Sequence, residues 1–200
     1  MLPAIATSIK QRLSANIRCL YLNSPAMVAG MRSYLFALDV DVNAEVEAGN
    51  LIFSSDQSQL QNGAFDGALM LQRLEEAVCQ ALSGGWKGLF ATGDMTWELG
   101  RDRDLQKLVD YEWELEKLFQ KYPQAEGVCQ YHLGTLPVDF VCNGLANHRA
   151  VYINQRLSHR NPSYIPSGGP RKAVAPPASL KYTVENLCAL QPGDAPDSIQ

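Results

Sequence analysis

Apolar positions recur along this chain with two alternating periods, and the alternation predicts the order of its elements. Ile5, Ile9 and Leu13 share one face of a helix over residues 2–14, and the polar Asn16 then gives way to a strand-like run over 17–22. Ser24 and Pro25 offer an N-cap and a first helical position for a second helix through Leu38, with Met27, Met31, Tyr34, Leu35 and Leu38 at helical spacing. Asn43 is placed to cap a short helical turn that Gly49 closes, ahead of a second strand over 50–55. From Asp66 a strong helix puts Leu71, Leu74, Val78 and Leu82 on one face and stops at Gly84-Gly85, before a third strand over 87–92. Residues 102–122 read as a long charged amphipathic helix with Leu105, Leu108, Val109, Leu115, Leu118 and Phe119 facing inward, ended by Pro123. A fourth strand over 126–133, a helix from Pro137 to about Asn147 and a fifth strand over 149–154 complete the pattern.

Strands therefore alternate with helices long enough to serve as crossovers, which predicts an α/β fold: a mainly parallel sheet of about five strands with helices on both faces. The polar stretch 55–66, with Asn62-Gly63, is longer than an ordinary connection, and such loops often carry function. Beyond Asn161 the chain is rich in proline and glycine. The expected organisation is one domain over 1–165 and a loose tail over 166–200, within which 179–187 is suited to one short element that docks back.

Composition narrows the function classes. At 200 residues, 46% hydrophobic and 19% charged, the chain suits a soluble globular protein with one sizeable core. A formal charge of −4 gives no general attraction for nucleic acid or an anionic membrane. No apolar run approaches the roughly 20 residues of a membrane helix, and the amino terminus lacks a signal peptide's apolar stretch, so the expected compartment is the cytoplasm. Cys19, Cys79, Cys129, Cys142 and Cys188 form no CxxC and read as reduced thiols, while His132, His148 and His159 lack metal-site spacing. No metal or cofactor is expected.

Parallel sheets bind ligands at the carboxyl ends of their strands, where loops converge. Those ends offer Asn23 and Ser24, Ser55 and Asp56, the stretch from Thr92 to Trp97, Tyr131 and His132, and Asn154. Asp94, Met95 and Trp97 then have two readings: a ligand-contacting strand end, or an N-cap acid and a core aromatic that introduce the next helix. A nucleotide loop is not indicated, because GxxxxGK[ST] is absent and no GxGxxG follows a strand; a GxSxG elbow is also missing. Cys129 lies three residues from His132, but strand alternation puts Cys129 and Tyr131 on one face and Gln130 and His132 on the other, which favours a structural thiol. The charge run over 101–121 reads as a solvated face, with Tyr111 and Trp113 left open as part of a partner surface.

Several blocks, in order, resemble one family: RCLYL, AGNLIF, GAFDGALML, GGWKGLFATGDMTWEL, DYEWELEKLF, GVCQYHLGTLP and NPSYIP, spanning about Arg18 to Pro166. Together they are similar to the MEDS domain, the methanogen/methylotroph sensory domain. The resemblance implies a RecA-like three-layer sandwich related to circadian-clock ATPases but with no Walker A loop. It also implies a non-catalytic sensory role for a small organic ligand, beside a histidine kinase, anti-sigma factor or transcription regulator. The family's Gly-Glu-Met-Ser/Thr-Trp block falls on Gly93, Asp94, Met95, Thr96 and Trp97, and its Cys-Gln-Tyr block on Cys129, Gln130 and Tyr131. Asp94 replaces the usual glutamate, His132 and the following Leu-Gly-Thr replace an acidic and then basic run, and the strand that usually precedes the first helix has no counterpart. The sheet is then expected either to lack one strand or to recruit another, from the C-terminal segment or a second subunit.

The expected ligand-binding residues are Thr92, Asp94, Met95, Trp97, Cys129 and Tyr131, with Asp94 as polar anchor and Met95, Trp97 and Tyr131 as apolar wall. The expected partners are a small organic ligand and a signalling protein, with no direct nucleic acid, no membrane, and homo-oligomer formation open. The rivals are a degenerate RecA-like nucleotide-binding ATPase and a protein-interaction scaffold.

Overall fold

The computed structural model describes residues 1–54, 65–98, 105–153, 156–158, 161, 164–166, 180 and 184. The chain forms two compact units, Met1–His132 and Leu133–Gln200. In the first unit, α1 (Leu2–Ser14) leads into β1 (Arg18–Leu22), α2 (Pro25–Ala37), α3 (Val42–Glu47) and β2 (Leu51–Ser54). Then come α4 (Gly67–Ser83), β3 (Leu89–Asp94), the single turn α5 (Met95–Glu98), α6 (Leu105–Lys121) and β4 (Ala125–Gln130). All four strands are parallel, in the order β2-β1-β3-β4.

Local chemistry sets the helix starts. Ser24 Oγ accepts from the Met27 amide at 3.4 Å with Pro25 at the first helical position, and Asp66 Oδ1 accepts from the Leu69 amide at 3.0 Å. The cap of α3 is Asp41, whose Oδ1 accepts from the Ala44 amide at 3.1 Å. The expected cap, Asn43, lies inside the helix, since both residue types cap well and the acid comes first in the chain. Gly49 closes that turn at φ +73, as its position after the helix predicts.

The sheet carries a separate apolar cluster on each face. On one side Ile5, Ala6 and Ile9 of α1 and Met31 and Leu35 of α2 pack with Cys19, Tyr21, Leu51 and Phe90. On the other, Val78 and Ala81 of α4 pack with Leu89 and Ala125, and Phe119 of α6 joins them. The buried stripe of α4 is Met70, Leu74, Val78 and Ala81, so Leu71 and Leu82 lie beside it; the small Ala81 seats against the sheet where Leu82 was expected. Tyr111 and Trp113 of α6 are also buried, which removes them as a partner surface, and Phe65 meets Tyr111 edge-on at 5.2 Å. An edge-on aromatic pair of this kind adds to ordinary area burial.

The predicted fifth strand does not join the parallel sheet. In the second unit β5 (Val151–Ile153) pairs antiparallel with β6 (Arg156–Ser158), two residues further on. A two-residue link suits a hairpin, whereas a parallel partner needs a crossover of a dozen residues or more. The same unit holds α7 (Val138–Asn147), which starts after Pro137 as predicted. Its end is closed by Asn161, whose Nδ2 donates to the carbonyls of Leu145 and His148, and by the Ile165 amide, which donates to Ala146 at 2.8 Å. Thus the carbonyls that a helix leaves unpaired find partners from the Pro-rich segment. Leu180 and Val184, inside the 179–187 segment, are helical.

Burial of the first core has a consequence at high pH. Desolvation pushes the Cys19 thiol from 9.0 up to about 12, and desolvation also pushes the Tyr21 hydroxyl from 10.0 up to about 12. The folded chain therefore keeps protons that the unfolded chain releases, so this stability is complete below pH 9 and is lost as pH rises toward 12. We expect the unfolding free energy from urea titration to fall between pH 9 and 11 by up to about 1.4 kcal/mol per pH unit for each group. The Cys19→Ala variant should show a visibly flatter slope between pH 9 and 10; an unchanged slope would refute this assignment.

Candidate functional site

From β1 the chain steps to β2 on one side, while β3 and β4 lie on the other, so the strand order reverses between β1 and β3. At such a point the loops leaving the two strands diverge and their carboxyl ends flank a crevice. Beyond β1 stand Asn23 and Ser24, leading into α2, and beyond β3 stands Met95, opening α5. Register places Tyr21 beside Thr92 and Asp94 beside Gln130. Alternation then sorts the strand ends onto two faces.

On the face covered by α1 and α2 the strand ends are polar. Thr92 Oγ1 donates to the Val128 carbonyl at 2.8 Å and accepts from Gln130 Nε2 at 2.9 Å. Asp94 Oδ1 accepts from the Thr96 amide at 2.8 Å, and Asp94 Oδ2 lies 3.2 Å from His132 Nε2. Asn23 Nδ2 donates to the Tyr21 hydroxyl at 3.2 Å, while its Oδ1 accepts from the Ser24 amide at 2.8 Å. Asn23, Thr92, Asp94 and Gln130 are all buried, so each is held away from bulk water. The Asp94 carboxylate is close enough to add to the rise in the Tyr21 pKa, behind the larger effect of desolvation.

The face covered by α4 and α6 is apolar and contains a small cleft. Its floor is Leu22, Ala91, Gly93, Gly127 and Cys129, with Met95 at one end and Leu74, Tyr111, Leu115 and Phe119 from the helices above. Gly127 permits this arrangement: a Cβ there would stand 2.5 Å from the Phe119 ring. The free space is about 30 Å³, room for one or two water-sized groups. At its border Glu112 is buried on α6, accepting from the Tyr131 hydroxyl at 2.7 Å and from the Cys129 thiol at 3.7 Å.

The six expected residues are therefore divided. Thr92 belongs to the polar face through its hydroxyl and to the cleft through the strand it sits in, and Asp94 faces α1 and α2. Met95 and Cys129 line the cleft, and Tyr131 stands beside Cys129 on Glu112. Trp97 lies in α5, and its side chain falls outside the described residues. Asp94 does bind the amide of Thr96, the helix-introducing role that its position allowed. Among the other strand ends, Ser55, Asp56 and Asn154 fall outside the described residues.

Two residues went unnoticed in the sequence as site members, Glu112 and Gln130. Glu112 sits within a charged run, and the one clue to its burial is its place between Tyr111 and Trp113. Gln130 was assigned a face by alternation but no partner, because its partner Thr92 lies 38 residues away. The Thr92 hydroxyl links these strands, and its removal is testable. The Thr92→Val variant keeps the volume but leaves the Gln130 amide without its acceptor, and should lower stability by about 1–3 kcal/mol in urea titration; Thr92→Ser should retain most of it.

Residues 1–149 match the family model described as MEDS, methanogen/methylotroph, DcmR sensory domain. The chain is 29% identical over 113 residues to the transcriptional repressor DcmR of Methylorubrum extorquens (strain DSM 6343 / CIP 106787 / DM4), a stretch that covers 56% of this chain and 40% of that protein. The match thus spans less than half of the curated relative. A family model covering most of the chain and a relative that acts as a regulator together support a sensory or regulatory role, and the chain belongs to the MEDS family of sensory domains.

Proposed function

We propose that this chain senses a small organic molecule at the carboxyl edge of its sheet and that a signalling protein or transcription regulator reads the bound state. The apolar cleft carries this reading: it lies beside the reversal of strand order, and glycines rather than large side chains open it. In this reading Thr92, Met95 and Cys129 contact the ligand, Tyr131 and Trp97 extend the wall, and Asp94 fixes the strand end from the opposite face. A cleft of about 30 Å³ suits a compound of only a few heavy atoms. Binding shifts a conformational population only if affinity differs between two states, so the partner must distinguish them.

The nucleotide-binding alternative finds little support in the same region. Only Asn23 and Ser24 separate β1 from α2, and the first helical residue, Pro25, has no N–H to offer a phosphate. Native mass spectrometry of the purified protein, followed by thermal shift with a panel of two- to five-atom organic compounds, tests the proposal. The expected result is at least one compound that raises the melting temperature of the wild type and leaves an Ala91→Val variant, whose added methyl groups take up the cleft, unmoved. If the panel has no effect while magnesium-ATP raises the melting temperature, the sensory assignment fails and the ATPase reading replaces it.

A further inference from the structure

The polar face of the strand ends has a chemistry of its own. Thr92 Oγ1 uses its single proton on the Val128 carbonyl, so it meets Gln130 as an acceptor, and this fixes the Gln130 amide with Nε2 toward Thr92. Gln130 Oε1 is left buried with no hydrogen-bond partner, on a residue only 2% exposed. Gln130 is the register partner of Asp94, so the amide and the carboxylate leave neighbouring strands on the same face of the sheet. Thr96 Oγ1, on the residue whose amide binds Asp94, is a second buried polar atom with no partner. A buried carbonyl oxygen without a donor keeps the cost of its lost hydration, and the Thr96 hydroxyl, which can both donate and accept, keeps the same cost until a polar group meets it.

Charge points the same way. Asp94 is 7% exposed, and no lysine or arginine pairs with it among the described residues; its ionic contact is His132, which balances it only when protonated. Among the described residues, Arg12 and Arg32 on this face are engaged elsewhere: Arg12 with Glu126 at 2.7 Å and over Phe90, Arg32 over Phe53. Tyr21, the other titratable group near Asp94, is held protonated by burial and can only donate or accept a hydrogen bond. A buried carboxylate ordinarily has a fixed cationic partner.

We propose that Asp94, Gln130 and Thr96, with Tyr21 and Asn23 behind them, form a second binding site that takes a small protonated primary amine. Its N–H groups fill Gln130 Oε1 and Thr96 Oγ1, its charge neutralises Asp94, and it competes with His132 for the carboxylate. The site lies on the opposite face of the sheet from the apolar cleft and does not depend on the cleft being occupied.

Isothermal titration at pH 8 with ammonium and ethylammonium chlorides, against tetramethylammonium and potassium chlorides at equal ionic strength, tests this. We expect millimolar binding of the two N–H cations and none of tetramethylammonium, which carries charge without donors. The Asp94→Asn variant should bind at least about tenfold more weakly, the usual effect of losing a charge-assisted hydrogen bond. Gln130→Met, which keeps the side-chain length, should weaken binding while the fold holds by circular dichroism, and His132→Ala should strengthen it. Because the Asp94 and Gln130 variants remove structural contacts, the His132→Ala gain keeps the test decisive if either fails to fold. Ala91→Val should leave amine binding unchanged, which separates this site from the cleft. Equal binding of potassium, binding that survives in folded Asp94→Asn protein, or no heat with either N–H cation would overturn the assignment.

Discussion

The strand β3 is covered on both faces, and nearly everything else follows from that burial. With a helical layer on each side, the pleat sends Phe90, Thr92 and Asp94 toward α1 and α2 and Leu89, Ala91 and Gly93 toward α4 and α6. A slip of one residue would drive the Asp94 carboxylate into the apolar cleft and Leu89 into the opposite layer. The alternation thus specifies the register of β1 and β4 as well, because their partners must match the same sorting. Thr92 strengthens the match by tying the Val128 carbonyl and the Gln130 side chain to β3.

This sorting gives the carboxyl edge two different surfaces within a few ångströms of one another. One is apolar, shallow and opened by glycine; the other is polar and buried. A sheet of four strands can hold both because each strand contributes to both faces, and because the helices that follow β1 and β3 leave in opposite directions. Glu112 extends the contrast, since a carboxylate buried on an otherwise apolar helix face is held by the Tyr131 hydroxyl and the Cys129 thiol. That contact ties α6 to the end of β4 and the residue that follows it.

Membership of the MEDS family supports a sensory or regulatory role for this chain. The stretch from Thr92 to Trp97 carries the end of β3 and the turn that follows it. Its glycine, acid and methionine lie in consecutive positions, yet Gly93 and Met95 border the cleft while Asp94 points away from it. Adjacent residues in a motif therefore serve opposite sides of one wall.

The sequence by itself determined the order of helices and strands, the parallel character of the sheet and the strand-end location of the candidate residues. Those features depend on local periods, caps and crossover lengths, which act over a few residues and can be read one segment at a time. Even the separation of Cys129 and Tyr131 from Gln130 and His132 was legible, since a period of two needs no knowledge of the fold. Only the tertiary structure decided that Asp94 and Met95 face different layers, that Gln130 meets Thr92, that Glu112 is buried, and that β5 turns back on β6 instead of extending the sheet. Each of these depends on which distant segment arrives at a given face. Contact between residues 17 or 38 positions apart leaves no periodic mark on the chain that makes it.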